Sequence, residues 1–332
     1  MTNKFSLKDI LRFIVPSTLG VLIFLTPVFV DGRPTIGMGI IFELLRGVTQ
    51  DYLPGFVTVL LFVSCCCSTY FSLSKKKHHQ RPTNQIEQIF TTNISWLIIR
   101  ILGSVFAGLV FFGVGPDWII SPSTGGTVLF QLASTLAVFF LVACLLLPFL
   151  IDYGVAEFVG TLLEKPFLWA FRLPGRASID TLASWLGSSS VGVLITIQQH
   201  EKGCYSGREA AVIATNFSVA SIAFCFLVAT VIEIDHRFFE FYLSILFSGL
   251  VAALILPRIW PLAKKEDVYL VEQATVEGRP GADVGVLGWA FTQGIEKAKT
   301  APNLKLLLKN SLINVLDIWF SLLPSVVAIG TI

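Results

Sequence analysis

An all-α, polytopic helical membrane protein with a re-entrant helical hairpin is what this sequence predicts, on three observations. Of its 332 residues 54% are hydrophobic and only 14% charged, with a mean hydropathy of +0.75, whereas soluble domains carry about a quarter charged residues. Apolar runs of about 20 residues recur, the length at which a helix crosses the hydrocarbon layer. One segment breaks that rule: "RASIDTLASWLGSSSVGVLITIQQHEKG", residues 176–203, in which two short apolar arms flank Gly187-Ser188-Ser189-Ser190-Val191-Gly192.

Taken in order, the runs predict crossings at 10–30, 53–73, 94–114 and 126–150. An amphipathic stretch follows, "DYGVAEFVGTLLEKPFLWAFRLPG", with Glu157, Glu164, Lys165 and Arg172 on a wetter face. It predicts an interfacial helix ending at Pro174-Gly175. The arms at 178–200 make the hairpin. Ser206-Gly207-Arg208-Glu209 has the pattern of a capping box at the head of a crossing at 210–232, and another crossing follows at 238–257. The polar stretch 258–310 holds a surface helix near 284–298. The last crossing, 312–332, stops without a polar flank, so the chain is expected to be shortened or completed by another polypeptide. Residues 2–12 lead into the first crossing with no small-residue cleavage site, so no cleavable signal peptide is expected.

Lysine and arginine set the orientation. With the N-terminus cytoplasmic, Lys4, Lys8, Arg12, the "KKKHHQR" loop, Lys165, Arg172, Arg176 and the stretch 258–310 all fall inside, leaving Arg33, Arg46 and Arg237 outside. That bias survives only if 178–200 enters and leaves on the cytoplasmic side. Length agrees, since nine residues of helix reach about 13 Å, near the bilayer midplane. Non-helical backbone at that depth must be buried in protein or line a wet cavity. The expected organisation is a four-helix membrane region at 1–150, a hairpin-bearing domain at 151–257, a cytoplasmic loop at 258–310 and a final crossing at 311–332.

Four groups could carry chemistry. Ser188, Ser189 and Ser190 sit at the hairpin tip, where the returning half-helix would aim free N–H groups at an anionic or polar ligand. Broken half-helices at mid-depth mark substrate sites in transporters, although small residues also let helices pack closely. Thr215, Asn216, Ser218 and Ser221 lie in "VIATNFSVASIAF", and an asparagine at mid-membrane must find partners on a neighbouring helix or in a cavity. Asn314 and Asp317 share a face of the last crossing at i and i+3 and form a candidate ion-coupling pair, unless Asp317 is simply wet at an interface. Glu201, Lys202, Arg208 and Glu209 occupy the cytoplasmic mouth as anchors and caps.

Other chemistry is weakly signalled. Asp180, Ser189 and His200 invite a hydrolase, but Gly187–Val191 fails the G-x-S-x-G elbow and His200 would lie about 15 Å below the tip. No Walker A motif is present. Cys65, Cys66, Cys67, Cys144, Cys204 and Cys225 form no CxxC pair and predict buried membrane thiols. His78 and His79 stand in a solvated basic loop. No enzyme, cofactor, metal or nucleic-acid partner is expected.

Residues 174–224, "PGRASIDTLASWLGSSSVGVLITIQQHEKGCYSGREAAVIATNFSVASIAF", and the ending "NVLDIWFSLLPSVVAIGTI" resemble YjiH-type bacterial inner-membrane proteins with a nucleoside-recognition, or Gate, domain. Gate domains also occur in concentrative nucleoside transporters, in ferrous-iron transport protein B and in spore maturation membrane proteins. The resemblance implies a transporter-like fold with re-entrant hairpins and inverted repeats, of which this chain carries one repeat plus one crossing; the GTPase half of the iron transporter is absent. It implies a multi-pass protein of the bacterial inner membrane, a permease or permease subunit for a small polar metabolite, with a nucleoside-like compound as first guess. A non-transporting membrane assembly or scaffold protein is the alternative. Implied partners are the lipid bilayer, a small-molecule substrate, and a second Gate-domain membrane protein or a second copy of the chain. Ser188–Ser190 would cradle the substrate, with Thr215, Asn216 and Ser218 opposite and Asp317, beside Asn314, holding a coupling ion.

Overall fold

In the computed structural model, which describes residues 5–30, 33–78, 85–186, 189–217, 221–271 and 285–332, nearly everything is helix. Helix α1 (Leu7–Phe24) starts under a capping box in which the Asp9 carboxylate accepts from the Ser6 N–H. It is followed by an antiparallel pair, β1 (Pro27–Val30) and β2 (Arg33–Ile36). The crossing expected at 10–30 is therefore wrong at both ends. Pro27 cannot continue the helix and disfavours helical backbone at Thr26, and Val30 pairs with Arg33 on either side of Asp31-Gly32, a dipeptide that as sequence is a hairpin signal.

Helices α2 (Gly37–Thr49), α3 (Leu53–His78), α4 (Gln85–Phe90), α5 (Ile94–Phe112) and α6 (Asp117–Ile120) follow. A wide-turn π-helix at Pro122–Ala133, kinked at Thr124 (φ −120°, ψ −107°), runs into α7 (Ser134–Ile151). Then come α8 (Val155–Phe171), the two arms α9 (Ala177–Leu186) and α10 (Ser189–Glu201), α11 (Gly207–Asn216), α12 (Ile222–Val231), α13 (Phe238–Ile255), α14 (Val286–Thr300) and α15 (Leu304–Gly330).

Among the described residues five helices are long and apolar enough to cross a membrane: Leu53–Ser72, Ile94–Phe112, Asp117–Ile151, Asp235–Arg258 and Leu304–Gly330. Seven were expected. α1 carries Lys8, Asp9 and Arg12 in its first turns, and the run 210–232 is not one helix but two, α11 and α12. The last helix begins at Leu304, not at 312, which places Asp317 near its middle.

The chain divides into two compact units, Met1–Gly37 with Leu146–Asn303 and Met38–Leu145 with Leu304–Ile332. In the first unit, α8 is the platform. Ser178 Oγ donates to the Gly160 carbonyl at 2.6 Å, and a Cβ on Gly160 would meet the Ile179 backbone, so α9 lies directly on α8. Phe167, Phe171 and Phe217 pack ring on ring, 5.0 to 5.5 Å between centroids. The predicted surface helix is found as α14, but it is not free: Ala290, Gly294, Ile295 and Ala298 are buried. Phe13, Phe158 and Phe291 form a triad there, rimmed by Lys297–Glu157 at 3.3 Å and Lys299–Asp9 at 3.6 Å.

The second unit packs α15 against α5 and α3. Its hydrogen bonds join side chains to helix carbonyls: Ser104 Oγ to Leu61 O at 2.7 Å, Ser64 Oγ to Phe320 O at 2.8 Å, and Trp319 Nε1 to Ala137 O at 3.0 Å. Close approach rather than hydrophobic transfer holds helices together where lipid is as apolar as leucine. One close approach is Gly103 on α5, where a Cβ would collide with the Pro324 carbonyl. Gly103→Leu is expected to lower the melting temperature of the detergent-purified protein, because overpacking costs about 1–3 kcal/mol. An unchanged melting curve would mean that α5 and α15 are not in backbone contact.

Candidate functional site

The hairpin is present as two helical arms, of 10 and 13 residues. Gly192 on α10 is what lets them close, since a Cβ there would overlap the Ser184 side chain. α10 begins at Ser189, so the tip falls where the small polar residues are. Ser188 lies outside the described residues, as do the side chains of Ser189 and Ser190.

The base of the hairpin is tied by buried polar groups. Asp180, 3% exposed, accepts from the Tyr205 hydroxyl at 2.7 Å, and His200 Nδ1 bonds the Tyr205 carbonyl at 2.8 Å. Asp180 and His200 thus engage two ends of one tyrosine. The capping box at Ser206 and Glu209 is formed, with the Glu209 carboxylate accepting from the Ser206 N–H at 2.8 Å. Over it lies the segment after α13: Gly207 N donates to Val268 O at 2.9 Å and Ser206 Oγ donates to Asp267. Burial pushes the Glu209 carboxyl above its ordinary value, while hydrogen bonds from Ser206 and Tyr269 pull the other way.

The helix break is the main departure from expectation. Thr215, Ser218 and Ser221 were expected as one stripe on a continuous helix. Instead α11 ends at Asn216, Ser221 caps α12 by accepting from Phe224 N at 3.2 Å, and Ser218 lies outside the described residues. Thr215 is exposed and donates back to Ala211 O at 2.7 Å.

Asn216, at the end of the half-helix, is 4% exposed, and neither its Oδ1 nor its Nδ2 has a hydrogen-bond partner among the described residues. It lines a cavity of about 440 Å³ together with Trp185 from the end of α9, Thr215, and the α13 face carrying Phe241, Ser244 and Ser248. Ser244 and Ser248 donate to Glu240 O and Ser244 O at 2.7 and 2.8 Å, which leaves their oxygens as acceptors. Trp185, Phe241 and the two serines were not expected. The serines' i, i+4 spacing in an apolar run is the signal that could have found them.

A second cavity, of about 590 Å³, lies in the other unit and is lined by Asp317, Ser321 and Arg100 among others. Asn314 is exposed and is not among its lining residues, so the expected Asn314–Asp317 pair does not converge there; Asp317 converges with Arg100, which sequence reasoning passed over as one charge in an apolar run.

The Gate family profile, described as nucleoside recognition, matches residues 133–235, which contain the hairpin and both halves of the broken helix. An uncharacterized protein of Alkalihalophilus pseudofirmus is 43% identical over 337 residues, covering 100% of this chain and 70% of that protein. No solved structure matches significantly.

A folded-state pKa raised by burial contributes stability that is present at low pH and lost as pH rises through it. The melting temperature of the wild type relative to Glu209→Gln, which keeps the cap acceptor, is therefore expected to fall as pH rises from about 4 to 7. A pH-independent difference would show that Glu209 titrates as a solvated carboxylate.

Proposed function

The chain belongs to the YjiH-type family of Gate-domain, multi-pass membrane proteins, and on that premise we propose that it is a permease, or a permease subunit, for a small polar metabolite of nucleoside-like chemistry. The observation that carries this is the Asn216 amide, buried beside a cavity, with neither its donor nor its acceptor partnered among the described residues. Leaving a buried polar group unsatisfied costs about 1–3 kcal/mol. That cost is offset when a ligand with an adjacent acceptor and donor docks there, as the edge of a nucleobase has. Trp185 and Phe241 offer ring faces to a planar heterocycle, and the Ser244 and Ser248 oxygens offer acceptors to sugar hydroxyls. A helix interrupted beside a cavity, with a hairpin arm on the same wall, has the character of a transporter substrate site.

In this proposal the protein is a binding and transport module rather than an enzyme. It sits in the bacterial inner membrane with its N-terminus cytoplasmic, and a second Gate-domain protein or a second copy completes the translocation path.

The test is thermal stability of the purified protein against nucleosides and nucleobases, with and without sodium, since a ligand that binds the folded state raises the melting temperature by mass action. A saturable rise with a nucleoside is expected. In Asn216→Ala the unliganded protein is expected to melt at the same temperature or higher, because two orphaned polar atoms are removed, while the nucleoside-dependent rise disappears. No rise with any nucleoside or nucleobase overturns the proposal in favour of a non-transporting assembly role.

A further inference from the structure

Arg100 is a guanidinium in a membrane-crossing helix, 4% exposed. It sits six residues into α5, about 9 Å from the helix start. Charged groups at such depth are costly unless paired. Its hydrogen bonds go only to neutral acceptors: Nη1 to Ser68 Oγ at 2.5 Å, and Nη2 to Ile89 O and Ser321 Oγ, both at 3.0 Å. Its Nε–H is buried with no partner among the described residues. No ion pair joins it to Asp317; the two are linked through one hydroxyl, as Ser321 Oγ also lies 3.4 Å from the Asp317 carboxylate.

These groups belong to the wall of the 590 Å³ cavity, with Asn93 and Trp96 on its α5 side. The wall therefore carries one largely buried guanidinium and one exposed carboxylate, held apart by a single serine. A metal cation at Asp317 would be repelled by Arg100. A simple anion at Arg100 would be repelled by Asp317. A ligand that carries both charges satisfies the two groups at once and leaves the low-dielectric cavity neutral.

We propose that this cavity is a binding site for a small zwitterion of the amino-acid class, its carboxylate on Arg100 and its ammonium on Asp317. Arg100 is the specificity element, because a guanidinium already fixed by three neutral acceptors meets a carboxylate without reorganising. Asp317 is the counter-charge that rejects singly charged analogues. The site lies in one unit and is independent of the cavity at Asn216.

The test uses the purified full chain and five probes: glycine, L-alanine, L-glutamine, propionate and propylammonium. A saturable rise in melting temperature is expected with at least one amino acid and with neither singly charged probe. Arg100→Lys and Asp317→Asn are each expected to weaken amino-acid binding at least tenfold. Asp317→Asn is also expected to admit propionate, since the opposing carboxylate is gone. Because Asp317 is exposed, its variant keeps the test open should the Arg100 variant fail to fold. Equal binding of propionate and amino acids by the wild type, unchanged amino-acid binding in Asp317→Asn, or no rise with any amino acid overturns the proposal. Amino-acid and nucleoside shifts are scored separately, so the failure of either leaves the other standing.

Discussion

Inside a hydrocarbon layer no water completes a hydrogen bond, so each backbone N–H and C=O that leaves a helix must be sheltered by protein. That constraint governs this fold. The chain interrupts its helices at the hairpin tip, between α11 and α12, and at Thr124, and near each interruption small or hydroxyl residues do the sheltering. Gly192 closes the hairpin on Ser184, Ser221 caps the restarted helix, and the Thr124 hydroxyl donates to the Trp118 carbonyl at 2.9 Å. Gly160 lets the first hairpin arm lie on the α8 backbone. An isolated helix of the length of α9 is marginal, so its place depends on this contact together with the Asp180–Tyr205 bond and the packing of Gly192 on Ser184.

The same scarcity of water explains which polar groups are informative. Many of the described hydroxyls are satisfied locally, donating to the carbonyl one turn back, as Thr58, Thr69, Thr196 and Thr230 do. They are consistent with helix packing and need no ligand. Asn216 and Arg100 differ because a planar amide and a guanidinium cannot be silenced that way. Each carries more donor or acceptor capacity than its own helix can absorb, and each lines a cavity and has a buried atom with no partner among the described residues. Thr181 and Thr331 also hold buried hydroxyls with no partner among the described residues, so it is the combination of such an atom with a place among the residues lining a cavity that separates Asn216 and Arg100.

The hairpin was legible in the sequence because two signals converged on it, arm length and the distribution of lysine and arginine. The capping box at Ser206 was legible because its chemistry is local. The break after Asn216 was not, for a physical reason: "VIATNFSVASIAF" contains no proline or glycine, so composition favours a continuous helix, and only tertiary shelter makes the interruption affordable. The β-pair after α1 failed for the opposite reason. Its Asp31-Gly32 signal is confined to a dipeptide, and hydropathy integrated over 20 residues outweighs it. Asp317 is legible as an acid standing alone in the last crossing, whereas Arg100 is not, because nothing in the strongly apolar run around it indicates its partners on other helices.

How Asp317 functions depends on that omission. Alone on a helix face, a membrane carboxylate suggests a proton or cation site, and Asn314 beside it strengthens the suggestion. With Arg100 one hydroxyl away, the two formal charges sum to zero and Asn314 is not among the residues lining the cavity, so a monovalent cation gains little by binding there. The carboxylate instead acts as one pole of a fixed dipole whose other pole is a guanidinium. A fixed dipole in a low-dielectric cavity discriminates by ligand charge distribution rather than by net charge, since any net charge must be carried in uncompensated.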